Sequence, residues 1–112
     1  MTKANKDGVY EPQIIEELAR WGRSYARVEI AQCEDGLYRF SLDMSYSYGG
    51  FCGPITDRTL GFETAALAKD EATAVLLERF PKPWASEPQS VHDELRELKA
   101  QIEACLRQPM LF

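Results

Sequence analysis

Two stretches decide the fold of this chain, Ala26-Arg27-Val28-Glu29-Ile30 and Phe40-Ser41-Leu42-Asp43-Met44-Ser45-Tyr46. In both, apolar residues alternate with polar ones, which is the period of two that is typical of half-buried strands. A three-residue loop at Glu34-Asp35-Gly36, with Gly36 in the left-handed conformation, pairs Ile30 with Phe40. The sequence therefore predicts an antiparallel hairpin whose apolar residues share one face.

The same register fixes the remaining pairs of the hairpin. Val28 then faces Leu42 on the apolar side, and Arg27 faces Asp43 on the polar side, where a cross-strand ion pair is the simplest use of both charges. A third, more weakly patterned strand is predicted between residues 55 and 62. We expect helices to cover one face of the sheet and the other face to expose Arg27, Glu29, Arg39, Ser41 and Asp43.

Helices are predicted before and after the strands in the chain. Pro12 suits a first helical position and Gly22 a C-terminal cap, so residues 12–21 are interpreted as an amphipathic helix. Its apolar face would hold Ile14, Ile15, Leu18 and Trp21. Thr64 caps a second helix that reaches about residue 80. The prediction is an α+β fold: a flexible N-terminus at 1–11, then a domain at 12–80 of helix, three-stranded antiparallel sheet and helix.

The last third of the chain reads as a connector and a further helix. Residues 81–89 are rich in proline and form a stiff connector, and Ser90 begins an amphipathic helix over 90–107. Its apolar stripe is narrow and consists of Val91, Leu95, Leu98 and Ile102, followed by Cys105. Such a stripe needs a partner surface, so the helix either lies across the main domain or pairs with its twin in a homodimer.

Composition excludes several classes of function. The chain has 112 residues and a formal net charge of −5, so a broad phosphate-binding surface and strong direct binding of nucleic acid are not expected. No membrane-spanning run or signal segment is found, and the three cysteines lack metal-ligand spacing, which favours free thiols in the cytoplasm. We therefore predict no metal, no cofactor and no membrane contact.

Candidate chemistry is sparse. The single histidine, His92, stands in the first turn of the last helix beside Asp93, where a solvated or capping role fits better than acid-base catalysis. No motif of hydrolases, zinc proteases or nucleotide-binding loops occurs, so the protein is not predicted to be an enzyme. Residues 46–54 are rich in glycine and tyrosine, and either form a turn that continues the apolar face or a ligand-binding loop.

The last five residues of the sequence are Gln108-Pro109-Met110-Leu111-Phe112. They resemble the peptide motif, a Gln followed by two variable residues and Leu-Phe, with which bacterial replication and repair proteins dock on the DNA sliding clamp. The resemblance implies that Gln108 contacts the rim of a groove and that Leu111 and Phe112 fill its apolar pocket, with Met110 beside them. In the other interpretation, Pro109 ends the helix and the apolar tail packs on its own domain.

Two functional classes follow. The first is a non-catalytic adaptor that docks on the sliding clamp in replication or repair, or as a phage or plasmid factor. The second is a small dimeric structural or nucleic-acid-associated module whose tail only packs. Residues 12–80 also resemble the double-stranded-RNA-binding fold, but in element order alone. The resemblance does not imply RNA binding, because Lys69 is followed by Asp70 and Glu71 where that family has adjacent lysines.

Overall fold

The structure, a computed structural model, describes residues 3–107 as six strands followed by two helices. The strands are β1 (Val9–Tyr10), β2 (Ile14–Trp21), β3 (Ser24–Gln32), β4 (Tyr38–Tyr46), β5 (Gly49–Cys52) and β6 (Ile55–Thr56). The helices are α1 (Ala65–Glu78) and α2 (Gln89–Arg107). An antiparallel sheet has the order β2-β3-β4-β5, and β1 pairs with β6 in a separate two-stranded sheet.

The central hairpin of β3 and β4 has the predicted register. Ile30 pairs with Phe40, and the pairing of Arg27 with Asp43 is confirmed in the same ladder. The Cys33 N–H donates to the Leu37 carbonyl at 2.8 Å and so closes the predicted loop, in which Gly36 has a φ of 87°. Alternation of polarity was sufficient here because only this register puts both sets of apolar side chains on one face.

The predicted first helix is wrong, and with it the order of helix, three-stranded sheet and helix. Residues 14–21 form β2, which pairs along β3 in the four-stranded sheet. Trp21 pairs with Ser24 across a two-residue turn, and Gly22 supplies its left-handed conformation with a φ of 62°. A glycine at this position suits the first place of a tight hairpin turn as well as a helix end, and the sequence alone did not separate the two.

A β-bulge explains the misleading pattern of β2. The register shifts between Glu17 and Ala19, so the alternation of faces changes phase within the strand. Leu18 and Ala19 are both buried as a result, whereas Ile15 and Trp21 remain 58% and 51% exposed. The apolar spacing that resembled a helical face is therefore an interrupted alternation, and most of its members do not enter the core.

The third strand is also placed differently from the prediction. β5 comes directly after β4 and pairs with it from Tyr46–Gly49 to Asp43–Cys52. β6 lies inside the predicted range, but it pairs with β1 rather than with the main sheet. β1 belongs to the stretch expected to be a flexible N-terminus, and its Tyr10 is buried against β6 and the end of β3.

Both helices cover the same face of the four-stranded sheet. Thr64 caps α1 as predicted, because its hydroxyl accepts the Leu67 N–H at 3.1 Å. α1 packs on β3 and β4, and α2 packs on β2 and β3. The main core lies between this sheet face and the helices, and among its members are Ala26, Val28, Leu42, Met44, Ala72, Leu76 and Leu98.

The outer sheet face is only partly exposed, contrary to the prediction. Arg39 and Ser41 are both buried. Arg39 donates to both carboxylate oxygens of Asp35, at 3.0 and 2.9 Å, and its Nε donates to the Thr59 carbonyl at 2.8 Å. Segment 57–62 therefore covers this end of the sheet and holds a charged side chain that sequence patterning placed in solvent.

The Asp35–Arg39 pair predicts an acid-sensitive contribution to stability. The guanidinium hydrogen bonds of Arg39 lower the pKa of Asp35 below its ordinary value of about 3.9. A carboxyl group with a lowered folded-state pKa stabilises the fold above its unfolded pKa, and this contribution disappears as the pH falls through the folded-state value. We expect the thermal midpoint of Asp35→Asn to lie below that of the wild type at pH 7 and to approach it below about pH 4.

Thermal unfolding of both proteins between pH 2.5 and 7 measures this effect. Asp70→Asn is the matched control because Asp70 is exposed on α1 and has no ion pair within residues 3–107. A constant difference between Asp35→Asn and the wild type across the range would contradict the assignment.

Candidate functional site

The predicted clamp-binding residues Gln108, Met110, Leu111 and Phe112 lie outside the described residues. The described chain ends with α2 at Arg107, so the structure defines how the helix that precedes the motif is held. The site is therefore built from α2 and its contacts with the sheet.

The apolar stripe of α2 lies inside the chain's own core. Its members Val91, Leu95, Leu98 and Ile102 are all buried against the sheet and α1. Of the two partners considered for this stripe, the main domain is the one that the structure places against it. A homodimer through the same residues would require α2 to leave the sheet.

A buried carboxylate fixes the first half of α2. Glu94 is only 6% exposed and accepts hydrogen bonds from the Ser24 hydroxyl and from the Ser47 hydroxyl, the latter at 3.1 Å. The Ser47 N–H also points at this carboxylate, at 3.4 Å. Because Ser24 begins β3 and Ser47 follows β4, one side chain ties the helix to the ends of two strands. Glu94 was not predicted to have this role, because an acidic residue near the start of an amphipathic helix usually faces solvent.

The second half of α2 lies against the outer edge of β2. The Gln101 side chain accepts the Arg20 N–H at 2.9 Å and donates to the Arg20 carbonyl at 3.0 Å. One turn later, the Cys105 thiol points at the Leu18 carbonyl at 3.7 Å. We call Gln101 and Cys105 the edge clasp. It was not predictable from the sequence, because residues 12–21 were interpreted as a helix and offered no edge.

Charges on the outer sheet face are paired with one another. The Arg27 guanidinium lies 3.9 Å from the centroid of the Tyr25 ring and 3.9 Å from a carboxylate oxygen of Asp43. Arg20 contacts Glu17 at 2.6 Å, and this hydrogen bond is the main reason why the pKa of Glu17 is lowered. These arginines already have acidic partners on the protein, which fits poorly with a phosphate-binding surface.

The glycine- and tyrosine-rich segment forms a tight hairpin with β4. Gly50 has a φ of 156°, and a side chain at this position would overlap the carbonyl oxygen of Met44. Its glycine is therefore needed for close packing of β5 on β4. Beside this hairpin, a cavity of about 480 Å³ lies between the sheet and α1, and its lining includes Phe40, Phe51, Val75 and Arg79.

The histidine and cysteines are dispersed. The His92 Nε2 lies 3.1 Å from the Trp84 carbonyl, and it thereby links α2 to the connector. Cys33 is buried, Cys52 is exposed and Cys105 belongs to the edge clasp. Within residues 3–107, no three His, Cys, Asp or Glu side chains are grouped as metal ligands. Neither helix in that range has the length and apolarity needed to cross a lipid bilayer.

Comparisons of the chain with protein-family models, with curated proteins and with solved structures give no significant match. The element order that supported a likeness to the double-stranded-RNA-binding fold is also missing, because strands precede both helices. Function is therefore inferred from the residues of this chain alone.

Proposed function

We propose that this protein is a non-catalytic, cytoplasmic adaptor that docks on the bacterial DNA sliding clamp through residues 108–112. The observation that carries the proposal is the sequence Gln108-Pro109-Met110-Leu111-Phe112, which follows directly after α2. Gln108 would contact the rim of the clamp groove, Leu111 and Phe112 would fill its apolar pocket, and Met110 would lie beside them.

The attachment of α2 to the sheet supports a role of the residues after it as a binding peptide. The apolar stripe, Glu94 and the edge clasp attach the helix to the sheet as far as Cys105, three residues before the motif begins. A short peptide that starts from a fixed helix has less freedom to lose on binding than one at the end of a long linker. We therefore expect a dissociation constant of micromolar order, about −8 kcal/mol.

The adaptor would act in replication or repair, or as a phage or plasmid factor that occupies the clamp. These roles share the same groove and differ only in what the folded domain brings to it. The alternative, a dimeric structural or nucleic-acid-associated module, is less well supported. Its expected dimer stripe is buried within the chain, and the arginines at positions 20 and 27 are paired with acids.

Titration of purified clamp tests the proposal. We expect the double variant Leu111→Ala, Phe112→Ala to bind at least about 30-fold more weakly than the wild type, because buried anchors dominate small interfaces. Leu106→Ala is the matched control, since Leu106 is an exposed leucine of α2 just before the motif. Its affinity should equal that of the wild type.

The fold of each variant is verified by circular dichroism before titration. Equal binding by wild type and double variant would contradict clamp docking through these anchors. If none of the proteins, the wild type included, bound the clamp at tens of micromolar, clamp docking would be contradicted altogether.

A further inference from the structure

β2 is the outermost strand of the main sheet on its side, so alternate backbone groups of β2 point away from β3. The Gln13 N–H donates to the Ile30 carbonyl, which shows that the groups of Ile30 point toward β2. Ile14 pairs with Ile30, so the next residue, Ile15, has its N–H and carbonyl on the open side. Arg20 has the same outward orientation beyond the bulge, where Gln101 binds both of its backbone groups.

The edge clasp gives the direction in which α2 travels along this open side. Gln101 meets Arg20, and four residues later Cys105 meets Leu18. Four residues of helix rise about 6 Å, and two residues of strand span about 6.7 Å. Helix and strand therefore run side by side in opposite directions, and the same heading beyond Arg107 leads toward the beginning of β2.

Beyond the clasp, the β2 edge carries Glu17 and Glu16 and then two isoleucines, and no other strand pairs with it within residues 3–107. Ile14 and Ile15 are 37% and 58% exposed there, although an exposed edge with large apolar side chains is normally protected from other strands. Ile15 lies about 10 Å along the strand from Leu18, whereas five extended residues span up to about 17 Å. Residues 108–112 are therefore long enough to reach both isoleucines, and two consecutive apolar residues of an added strand would face opposite sides of the sheet, as Ile14 and Ile15 do.

We propose that residues 108–112 dock on the open edge of β2 when the clamp is absent, with Leu111 and Phe112 against Ile14 and Ile15. This inference rests on the proposed function, because it makes the same two anchors the ligand of both surfaces. Pro109 has no N–H to donate, which an added edge strand tolerates where that position faces solvent. The edge of β2 then competes with the clamp for the tail. The apparent affinity for the clamp is therefore the intrinsic affinity multiplied by the fraction of molecules whose tail is undocked.

Amide hydrogen exchange tests the docking without the clamp. The amides of Ile15 and Glu17 should exchange at least about 5-fold faster in Leu111→Ser, Phe112→Ser than in the wild type, since exchange rates follow local opening. The amide of Val28, in the middle of the sheet, serves as the control and should not change. Equal exchange at Ile15 in both proteins overturns the proposal, whatever the clamp does.

Clamp binding then tests the competition. Ile14→Ser, Ile15→Ser should bind the clamp about 3- to 10-fold more tightly than the wild type, because its tail has lost the competing surface. Leu67→Ser, an exposed leucine on α1, should leave the affinity unchanged. Equal affinities for the wild type and the β2 variant overturn the competition. Faster exchange at Ile15 without clamp binding by any variant supports docking and rejects the proposed function.

Discussion

Leu98→Asp is expected to unfold the protein or to bring it close to unfolding. Leu98 is completely buried between α2 and the sheet, so the variant loses the burial of a leucine and places a carboxylate in an apolar core. Removing a buried leucine costs about 2–5 kcal/mol, and burying an unpaired charge adds several more. Such a loss is comparable to the whole stability of a typical domain, about 5–15 kcal/mol.

Thermal and denaturant unfolding measure this loss, and solution mass separates it from dissociation of an oligomer. Leu106→Asp is the matched control because Leu106 is on the same helix and 46% exposed. We expect this control to cost less than about 1 kcal/mol. If Leu98→Asp kept the wild-type midpoint, α2 would not pack on the sheet as described.

Gly50→Ala should produce the second large loss of stability. A β-carbon at this position would overlap the Met44 carbonyl oxygen and lie 2.9 Å from the Cα of Ser45, so the β4–β5 hairpin would have to move. The φ of 156° is also one that residues with a side chain rarely adopt. Overpacking and backbone strain each cost about 1–3 kcal/mol, so we expect a total of about 2–6 kcal/mol.

Gly53→Ala is the control for this substitution. No atom lies within 4 Å of a β-carbon added at Gly53, and the residue is not among those with a positive φ. We expect its free energy of unfolding to stay within about 1 kcal/mol of the wild type, or to rise slightly through reduced freedom of the unfolded chain. Equal midpoints for Gly50→Ala and Gly53→Ala would show that β5 is not held against β4 as described.

Part of the candidate site can be predicted from the sequence, and part of it depends on the tertiary structure. The motif at Gln108, Leu111 and Phe112 is visible in the sequence, because short peptide ligands are defined by the residues themselves. Its support is not visible there. Glu94 and Gln101 gain their roles only from Ser24, Ser47 and the edge of β2, which lie at least 47 residues away in the chain.

The sequence by itself determined the β3–β4 hairpin, the Thr64 cap and the apolar stripe of α2. These features depend on neighbours in the chain or on a regular period, so local chemistry is enough to specify them. Tertiary structure decided that residues 14–21 form a strand, because the backbone edge of β3 had to be paired and a bulge disguised the alternation.

Tertiary structure also chose the partners of β1, β6 and α2. Two-residue strands carry no period that a sequence can reveal, and β1 and β6 exist only because they pair although their residues lie 45 or more positions apart in the chain. The stripe of α2 was equally suited to a twin helix or to the sheet. The sheet is the partner in the structure, because β2 and β3 have an apolar face that would otherwise be exposed. Packing the stripe on this face removes both apolar surfaces from water within one chain.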